Sequence, residues 1–467
     1  MSEPDDEYDV VVVGGGPAGE TAAGRCADGG LSVALVEREL VGGECSYWGC
    51  IPSKTLIRPG DAVAAARRVP GAAAAVGGSI DLAAALARRD YMTSSWSDDG
   101  QLPWLEERDI ALFRGTGRLD GERTVVVAGG DGSTETRLRA KRAVVLATGT
   151  RSVLPPVPGL DDVAAWDNRG AVSTTSIPRR LVVLGGGAVG AELAQAFRRL
   201  GSEQVAVVEA GPRLLAREEP FAGDEVRSAF EDEGIDVVVG AQVAQVRRAN
   251  GGPATVDVEG GASYDADELL VAAGRRIETE LLGLDSVGVE PARSIDVDDT
   301  LRVTGVDGAW LFAVGDCNGL APLTHMGKYQ ARIAADQILG KDSRDRASVH
   351  AVPRVTFTDP QVCAVGLTEA LARERGIAVR ALTYGTGDVP GAYTLGEGIA
   401  GTSKLVVDDD RRVLVGATFT GPGVQELLHS ATVAVAAEVP LDQLWHAVPA
   451  FPTLSEVWLH LLESYGL

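Results

Sequence analysis

The chain has 467 residues, 45% hydrophobic and 23% charged, enough for two to four domains with sizeable cores. Its net charge of −23 opposes binding to nucleic acid phosphates or anionic lipid, and no run approaches the ~18–20 apolar residues of a membrane span. The acidic start, Met1 to Glu7, is unlike a secretory leader, and five cysteines are too few for a secreted disulfide scaffold, so a cytoplasmic location is expected.

The first predicted unit runs from the apolar strand Tyr8 to Val13 into Gly14, Gly16 and Gly19, spaced G-x-G-x-x-G. An Ala-rich helix follows, then a second apolar run, Leu31 to Val36, ending in Glu37. The first glycine permits the turn, the second admits a pyrophosphate, and the third lets helix pack on strand. The helix N-terminus then favours phosphate charge, and Glu37 is placed to bond ribose hydroxyls.

Next comes the segment Gly42-Gly-Glu-Cys45-Ser-Tyr-Trp-Gly-Cys50-Ile-Pro-Ser-Lys54. In a reducing compartment a C-x4-C pair is expected to be redox-active; the competing reading is two unpaired core cysteines. An Ala/Arg-rich stretch, roughly 54–107, predicts helices inserted in the first domain. Val125–Val127 and Val144–Thr148 predict short strands, and the Pro-rich Leu154 to Gly159 predicts a linker.

The opening pattern then repeats. Leu181 to Leu184 leads into Gly185, Gly187 and Gly190, a helix, and Val205 to Val208 ending in Glu209. A carboxylate there favours a free ribose 2′-hydroxyl and repels a 2′-phosphate, so NADH is preferred and NADPH is possible; Arg213 nearby softens the choice. Two such units imply two dinucleotides in one chain, and electron transfer between them. After about 276 short strands are expected, ending at Trp310 to Asp316. The last region alternates strands (Leu405–Val407, Leu414–Phe419) with helices (Gly423–Glu438, Ser455–Leu462).

Taken together these segments resemble the pyridine nucleotide-disulfide oxidoreductases, the family of dihydrolipoamide dehydrogenase, glutathione reductase and mercuric reductase. The resemblance spans nearly the whole chain. It includes both glycine fingerprints, C-x4-C-I-P-S-K at 45–54, Ala147-Thr-Gly149, Ala273-Gly-Arg275, Val314-Gly-Asp316, Thr324-His325 and Phe357 to Glu369. It implies an α/β protein with two Rossmann-like dinucleotide-binding domains and a C-terminal α+β dimerisation domain. The expected divisions are an FAD-binding domain at 1–152, an NAD(P)-binding domain at 153–275, a central domain at 276–346 and an interface domain at 347–467.

The same resemblance implies the roles. Cys50 would be the flavin-proximal thiolate, giving a charge-transfer complex with oxidised FAD, and Cys45 the interchange thiol. Lys54 would sit beside the flavin and pair with Glu192 near the nicotinamide. Asp316 would bond the ribityl chain, with Thr324 against the flavin and His325 packing nearby. Further cofactor contacts are implied at Gly117, Thr148, Gly149, Val243, Gly274 and Arg275. No metal site is expected. A homodimer with composite active sites would act on a small-molecule substrate.

At the C-terminus the family carries a His-Pro-Thr segment, whose histidine moves the thiol proton in the partner's site, followed by Ser-Glu. This chain reads Ala450-Phe451-Pro-Thr-Leu-Ser-Glu456. Phe451 stands where the histidine is expected, and phenylalanine moves no proton. His446 is out of register. No C-terminal cysteine pair follows, since the last cysteine is Cys363. Tyr47 and Trp48, between the redox cysteines, either narrow the substrate pocket or pack under the helix. The expected activity is therefore electron transfer from NAD(P)H through FAD and Cys45–Cys50 to a disulfide or other thiol-reactive molecule. The alternatives are altered chemistry on the same fold (quinone reduction, small-metabolite dehydrogenation or carbon–sulfur cleavage) and a non-enzymatic redox sensor.

Overall fold

A computed structural model describes residues 6–130, 135–248 and 252–467. Most of the acidic start therefore lies outside the described residues. The chain folds as two compact units, one of Met1–Pro52, Asp90–Ser152 and Arg275–Val349, the other of Ser53–Arg89, Val153–Gly274 and His350–Leu467.

The first unit is built on a mixed sheet. Strands β1 (Asp6–Val13), β2 (Val33–Glu37), β3 (Ile110–Arg114), β4 (Thr116–Leu119), β5 (Thr124–Ala128) and β6 (Glu135–Leu146) take the order β3-β2-β1-β6-β5-β4. The pairing is parallel through β3, β2, β1 and β6 and antiparallel through β6, β5 and β4. Leu311–Ala313 adds alongside the C-terminal end of β6. Val10, Val12 and Leu35 face one core, while Val11, Val13 and Val36 face another. Both faces of the sheet are thus buried, which is why β1 and β2 read as continuous β-branched runs rather than alternating ones.

Helix α1 (Pro17–Asp28) follows β1 directly, α2 (Gly43–Tyr47) carries Cys45, and α3 (Cys50–Arg67) opens on Cys50. Between 276 and 310 the expected short strands are replaced by 3-10 turns at Thr279–Leu281 and Leu284–Val287 and by isolated bridges. The segment lacks the sustained apolar alternation a paired strand needs.

In the second unit a four-stranded parallel sheet runs Ile235–Val239, Gln204–Glu209, Arg180–Leu184, Glu268–Val271. It carries the helix Ala188–Leu200 after its second glycine fingerprint. A five-stranded antiparallel sheet, Pro353–Thr356, Gln361–Gly366, Val413–Gly421, Thr402–Asp408 and Val379–Gly385, forms the C-terminal part. Three of those strands, at 353, 361 and 379, were not foreseen. They are short or interrupted by charged residues, and two of the pairings they make, 361–366 with 413–421 and 379–385 with 402–408, join segments well apart in sequence. Among the described residues no helix is long and apolar enough to cross a membrane.

Candidate functional site

The two glycine turns have the same local geometry. Gly14 and Gly185 open them at φ 105° and 107°, left-handed values that favour glycine. A Cβ at Gly14 would overlap the Ala147 carbonyl, and one at Gly185 the Ala272 carbonyl. A Cβ at Gly19 or Gly190 would strike the carbonyl oxygen of Gly14 or Gly185, so the third glycine is a packing requirement. The middle glycine differs. At Gly187 a Cβ would meet nothing within 4 Å, and at Gly16 only the Gly43 Cα at 4.0 Å. Each middle glycine is the N-cap of its helix, with no side-chain cap among the described residues. Open space before an uncapped helix N-terminus fits the pyrophosphate of a dinucleotide.

The acids close the same pattern. Glu37 Oε2 accepts from Gly15 N–H at 2.6 Å, and its Oε1 from Glu39 N–H at 2.7 Å. Glu209 Oε2 accepts from Gly186 N–H at 2.6 Å, and its Oε1 from Gly211 N–H at 2.5 Å. Both carboxylates are therefore held at the ends of their strands as sequence spacing places them. Arg213 instead donates to the carbonyls of Ala216 and Glu218, at 3.0 and 3.4 Å.

In the first unit, Cys45 and Cys50 are both in the thiol state, and Cys50 Sγ lies 3.5 Å from Thr324 Oγ1. The Cys45 thiol is hydrogen-bonded to Cys50. That bond, burial and charge on Cys50 together push the Cys45 thiol far up, with Thr324 acting in the opposite direction. Cys50 starts an 18-residue helix, whose N-terminus stabilises negative charge. Tyr47 is 3% exposed and donates to the Ser97 carbonyl, so it packs as core rather than lining a pocket.

Asp316 accepts from Thr150 Oγ1 at 2.8 Å. Arg275 donates to that same hydroxyl at 2.8 Å and to the Thr150 carbonyl at 2.7 Å, and lies 3.8 Å from Glu44. Thr150, one residue past Ala147-Thr-Gly149, was missed from sequence because a lone threonine carries no spacing signal. Gly149 and Gly274 have left-handed φ of 69° and 137°. Thr148 is half-buried. Gly117 sits in β4, where a Cβ would crowd Val13 and Val36 at 3.0 and 3.1 Å. His325 is exposed near the start of the helix Thr324–Ile338.

In the second unit, Lys54 Nζ meets Glu192 Oε2 at 2.6 Å. Glu192 is 4% exposed, and its Oε1 accepts from Phe357 N–H at 3.0 Å. The Lys54 ammonium also lies 4.9 Å from the centre of the Phe357 ring. Val243 opens the strand Val243–Arg248. Phe451 is 74% exposed, Glu456 is buried, and His446 is exposed. Among the described residues the Glu456 Oε2 has no hydrogen-bond partner.

Family models match along most of the chain: "Pyridine nucleotide-disulphide oxidoreductase" over residues 8–337 and its dimerisation domain over 352–462. The dihydrolipoyl dehydrogenase of Chlamydia muridarum (strain MoPn / Nigg) is 33% identical over 456 residues, covering 97% of this chain and 95% of that protein. The mercuric reductase of Staphylococcus aureus is 30% identical over 456 residues, covering 97% and 81%. Among solved structures, LpdA from Mycobacterium tuberculosis is similar with a TM-score of 0.85 and 26% identity, over 98% of this chain and 99% of that one. The HOCl-induced flavoprotein disulfide reductase RclA from Escherichia coli is similar with a TM-score of 0.83 and 26% identity, over the same shares.

Proposed function

The chain belongs to the pyridine nucleotide-disulphide oxidoreductase family, whose enzymes are NAD(P)H-dependent flavoproteins, and we propose that it reduces a disulfide or another thiol-reactive small molecule through Cys45 and Cys50. The observation that carries this reading is the hydrogen-bonded thiol pair, one member opening a long helix beside Thr324.

Bound FAD would take a hydride equivalent from the nicotinamide and pass two electrons to the cysteine disulfide. The chain's own residues do the rest. The turn at Gly14, Gly16 and Gly19 and the acid Glu37 hold one dinucleotide. Those at Gly185, Gly187 and Gly190 with Glu209 hold the other, and the Glu209 carboxylate favours NADH over NADPH. The Lys54–Glu192 pair orients the lysine. Cys45, once deprotonated, attacks a substrate sulfur and forms a mixed disulfide, and the departing thiolate takes up a proton. Cys50 thiolate then attacks Cys45 Sγ, closing the intramolecular disulfide and releasing the second thiol. The matched dimerisation segment supports a homodimer with composite sites.

Phe451 in the position of the family's histidine leaves the Cys45 proton without an imidazole acceptor. Proton transfer of that kind contributes ~10²–10⁴-fold, so slow turnover of ordinary disulfides follows. Phe451 in that position also motivates a second reading, direct reduction of a quinone-like acceptor by the flavin, with the cysteines idle.

Anaerobic titration of the FAD-loaded protein with NADH separates the two, with a Cys45→Ser variant beside it. A long-wavelength charge-transfer band after two electrons supports the thiol route. Direct bleaching to reduced flavin, the same in the variant, would remove it in favour of direct flavin chemistry.

A further inference from the structure

The redox segment is gripped by a second stretch of the same unit that holds no cysteine and belongs to neither nucleotide turn. Val41 N–H donates to Asp98 Oδ2 at 2.7 Å, ahead of the cysteines. Trp96 Nε1–H donates to the Tyr47 carbonyl at 3.1 Å, and Tyr47 Oη–H to the Ser97 carbonyl at 3.3 Å, behind Cys45. Arg114 pairs with Asp98 at 2.5 Å and donates to the Glu39 carbonyl at 2.6 Å, widening the grip. The segment 96–98 and Arg114 therefore hold the chain on both sides of Gly42–Cys45.

The gripping turn is itself strained. Ser94, Ser95 and Trp96 have φ of 49°, 50° and 58°, three consecutive non-glycine residues in the left-handed region. Such a run persists only where its surroundings over-determine it. Here the surroundings are the buried Tyr47, Thr93 and Asp98. On the other side, Gly42 at φ 113° passes so close that a Cβ would lie 2.9 Å from the Tyr47 ring. Helix α2 has five residues and no side-chain cap, too short to fix its own orientation. Its rotation, and with it the direction of Cys45, must be set from outside.

We propose that Trp96 and Tyr47 are positioning residues for the cysteine pair, holding α2 at the rotation that keeps the Cys45 thiol on Cys50 and Thr324. The proposal rests on the reading that this pair is redox-active. Trp96 acts through the Tyr47 carbonyl at the end of α2. Tyr47 locks the same junction from the other direction through the Ser97 carbonyl.

Two conservative variants test this in the FAD-loaded protein. Trp96→Phe keeps a ring and deletes the indole donor; Tyr47→Phe deletes the hydroxyl donor. Each is reduced anaerobically by two electrons. The charge-transfer absorbance is read, and the rate of iodoacetamide alkylation at Cys45 is followed from about pH 5 to about pH 9. The expected result is a weaker charge-transfer band and an alkylation rate changed roughly two- to tenfold with a displaced pH profile, at unchanged flavin content. A fall in unfolding temperature alone, with band and profile as in the wild type, overturns the proposal. Should Trp96→Phe fail to load FAD, Tyr47→Phe decides by the same readouts. A wild type with no band, matched by Cys45→Ser, removes the redox reading and the positioning role together. A wild-type band with unaltered variants removes only the positioning role.

Discussion

Lys54 meets Glu192 at 2.6 Å, and seven residues further along the same two helices Asp61 meets Arg199 at 3.1 Å. Equal steps on both partners mean that α3 and the helix Ala188–Leu200 run side by side in one direction. Gly60 is a point of close approach, since a Cβ there would lie 2.8 Å from the Arg199 side chain. Arg199 is shared further, with Glu233 at 2.6 Å and Asp359 at 2.8 Å, and Asp359 also takes Arg68 at 2.5 Å. Asp359 N–H donates to Gln195 Oε1 at 2.8 Å, so the turn that presents the Phe357 amide to Glu192 is tied to the same helix.

In this cluster two guanidinium groups serve three carboxylates, and Asp61 is the acid in surplus. Burial pushes Asp61 up to about 6, with Asp359 adding to the rise and Arg199 opposing it. Burial also acts upward on Asp359, but Arg199 and Arg68 outweigh it and hold that carboxyl below its usual range. The two acids should therefore affect stability with opposite sign. The folded state binds the Asp61 proton more tightly than the unfolded chain, so this group's contribution falls as pH rises from ~4 to ~6. Asp61→Asn should leave the protein at least as stable as wild type at pH 8, by about 1 kcal/mol after the lost ion pair is counted, with the gain gone in acid. Asp359 contributes stability above the unfolded carboxyl pKa that is lost as pH falls. Asp359→Asn should destabilise by about 1–3 kcal/mol at neutral pH and converge on wild type in acid. Urea midpoints across that pH range check both, and equal shifts for the two variants would contradict the division of roles.

Two of the glycines of the second turn, Gly187 and Gly190, separate folding from binding. Gly187 has φ −73°, ordinary for any residue, and its Cβ position faces open space. Gly187→Ala should stay within about 0.5 kcal/mol of wild-type stability yet raise KM for NADH at least about tenfold, because the methyl occupies the pyrophosphate path. Gly190→Ala should instead destabilise by roughly 1–3 kcal/mol, its Cβ driven into the Gly185 carbonyl. Thermal unfolding beside steady-state kinetics distinguishes them. A Gly187→Ala enzyme with unchanged KM would mean that no phosphate passes there.

Glu209 is expected to set the nucleotide. Removing a charged acceptor of ribose hydroxyls forfeits about 1.5–3 kcal/mol, so Glu209→Ala should lower kcat/KM for NADH roughly ten- to a hundredfold. NADPH, whose 2′-phosphate the carboxylate repels, should lose less, and the ratio of the two should approach unity. The variant also strips the Gly186 and Gly211 amides of their acceptor, so circular dichroism must show an intact fold before the ratio is read.

How much of this was legible beforehand follows from range. The glycine turns and their acids are local, closed within about 25 residues, and their spacing alone places Glu37 and Glu209 on the right amides. Lys54–Glu192 spans 138 positions and was reached only through the family resemblance. The Thr150 bridge to Asp316, the Trp96 grip on Tyr47 and the Asp61–Arg199–Asp359 cluster were invisible, because single polar residues far apart in sequence carry no period. Tyr47 was readable as either pocket or core. Burial decided for core once the position of Ser97 was known.

Phe451 gives the last prediction. Its ring is 74% exposed, while the Glu456 carboxyl five residues on is buried with an oxygen lacking a partner among the described residues. On the proposed reading that Phe451 occupies the position of the family's histidine, Phe451→His supplies a proton acceptor whose ordinary pKa is about 6.5. Neutral imidazole is the form that accepts a thiol proton, so the gained activity should be present above that pH and fade as pH falls through it. Turnover of a simple disulfide should rise about 10- to 100-fold at pH 8, less than the full ~10²–10⁴ because the surrounding pocket is not built for the ring. Glu456→Gln in the same background should remove part of the gain, since an amide holds the imidazolium less well than a carboxylate. Unchanged turnover in Phe451→His would place the limit elsewhere: in the raised Cys45 thiol itself, or in a reaction that never passes through the cysteines.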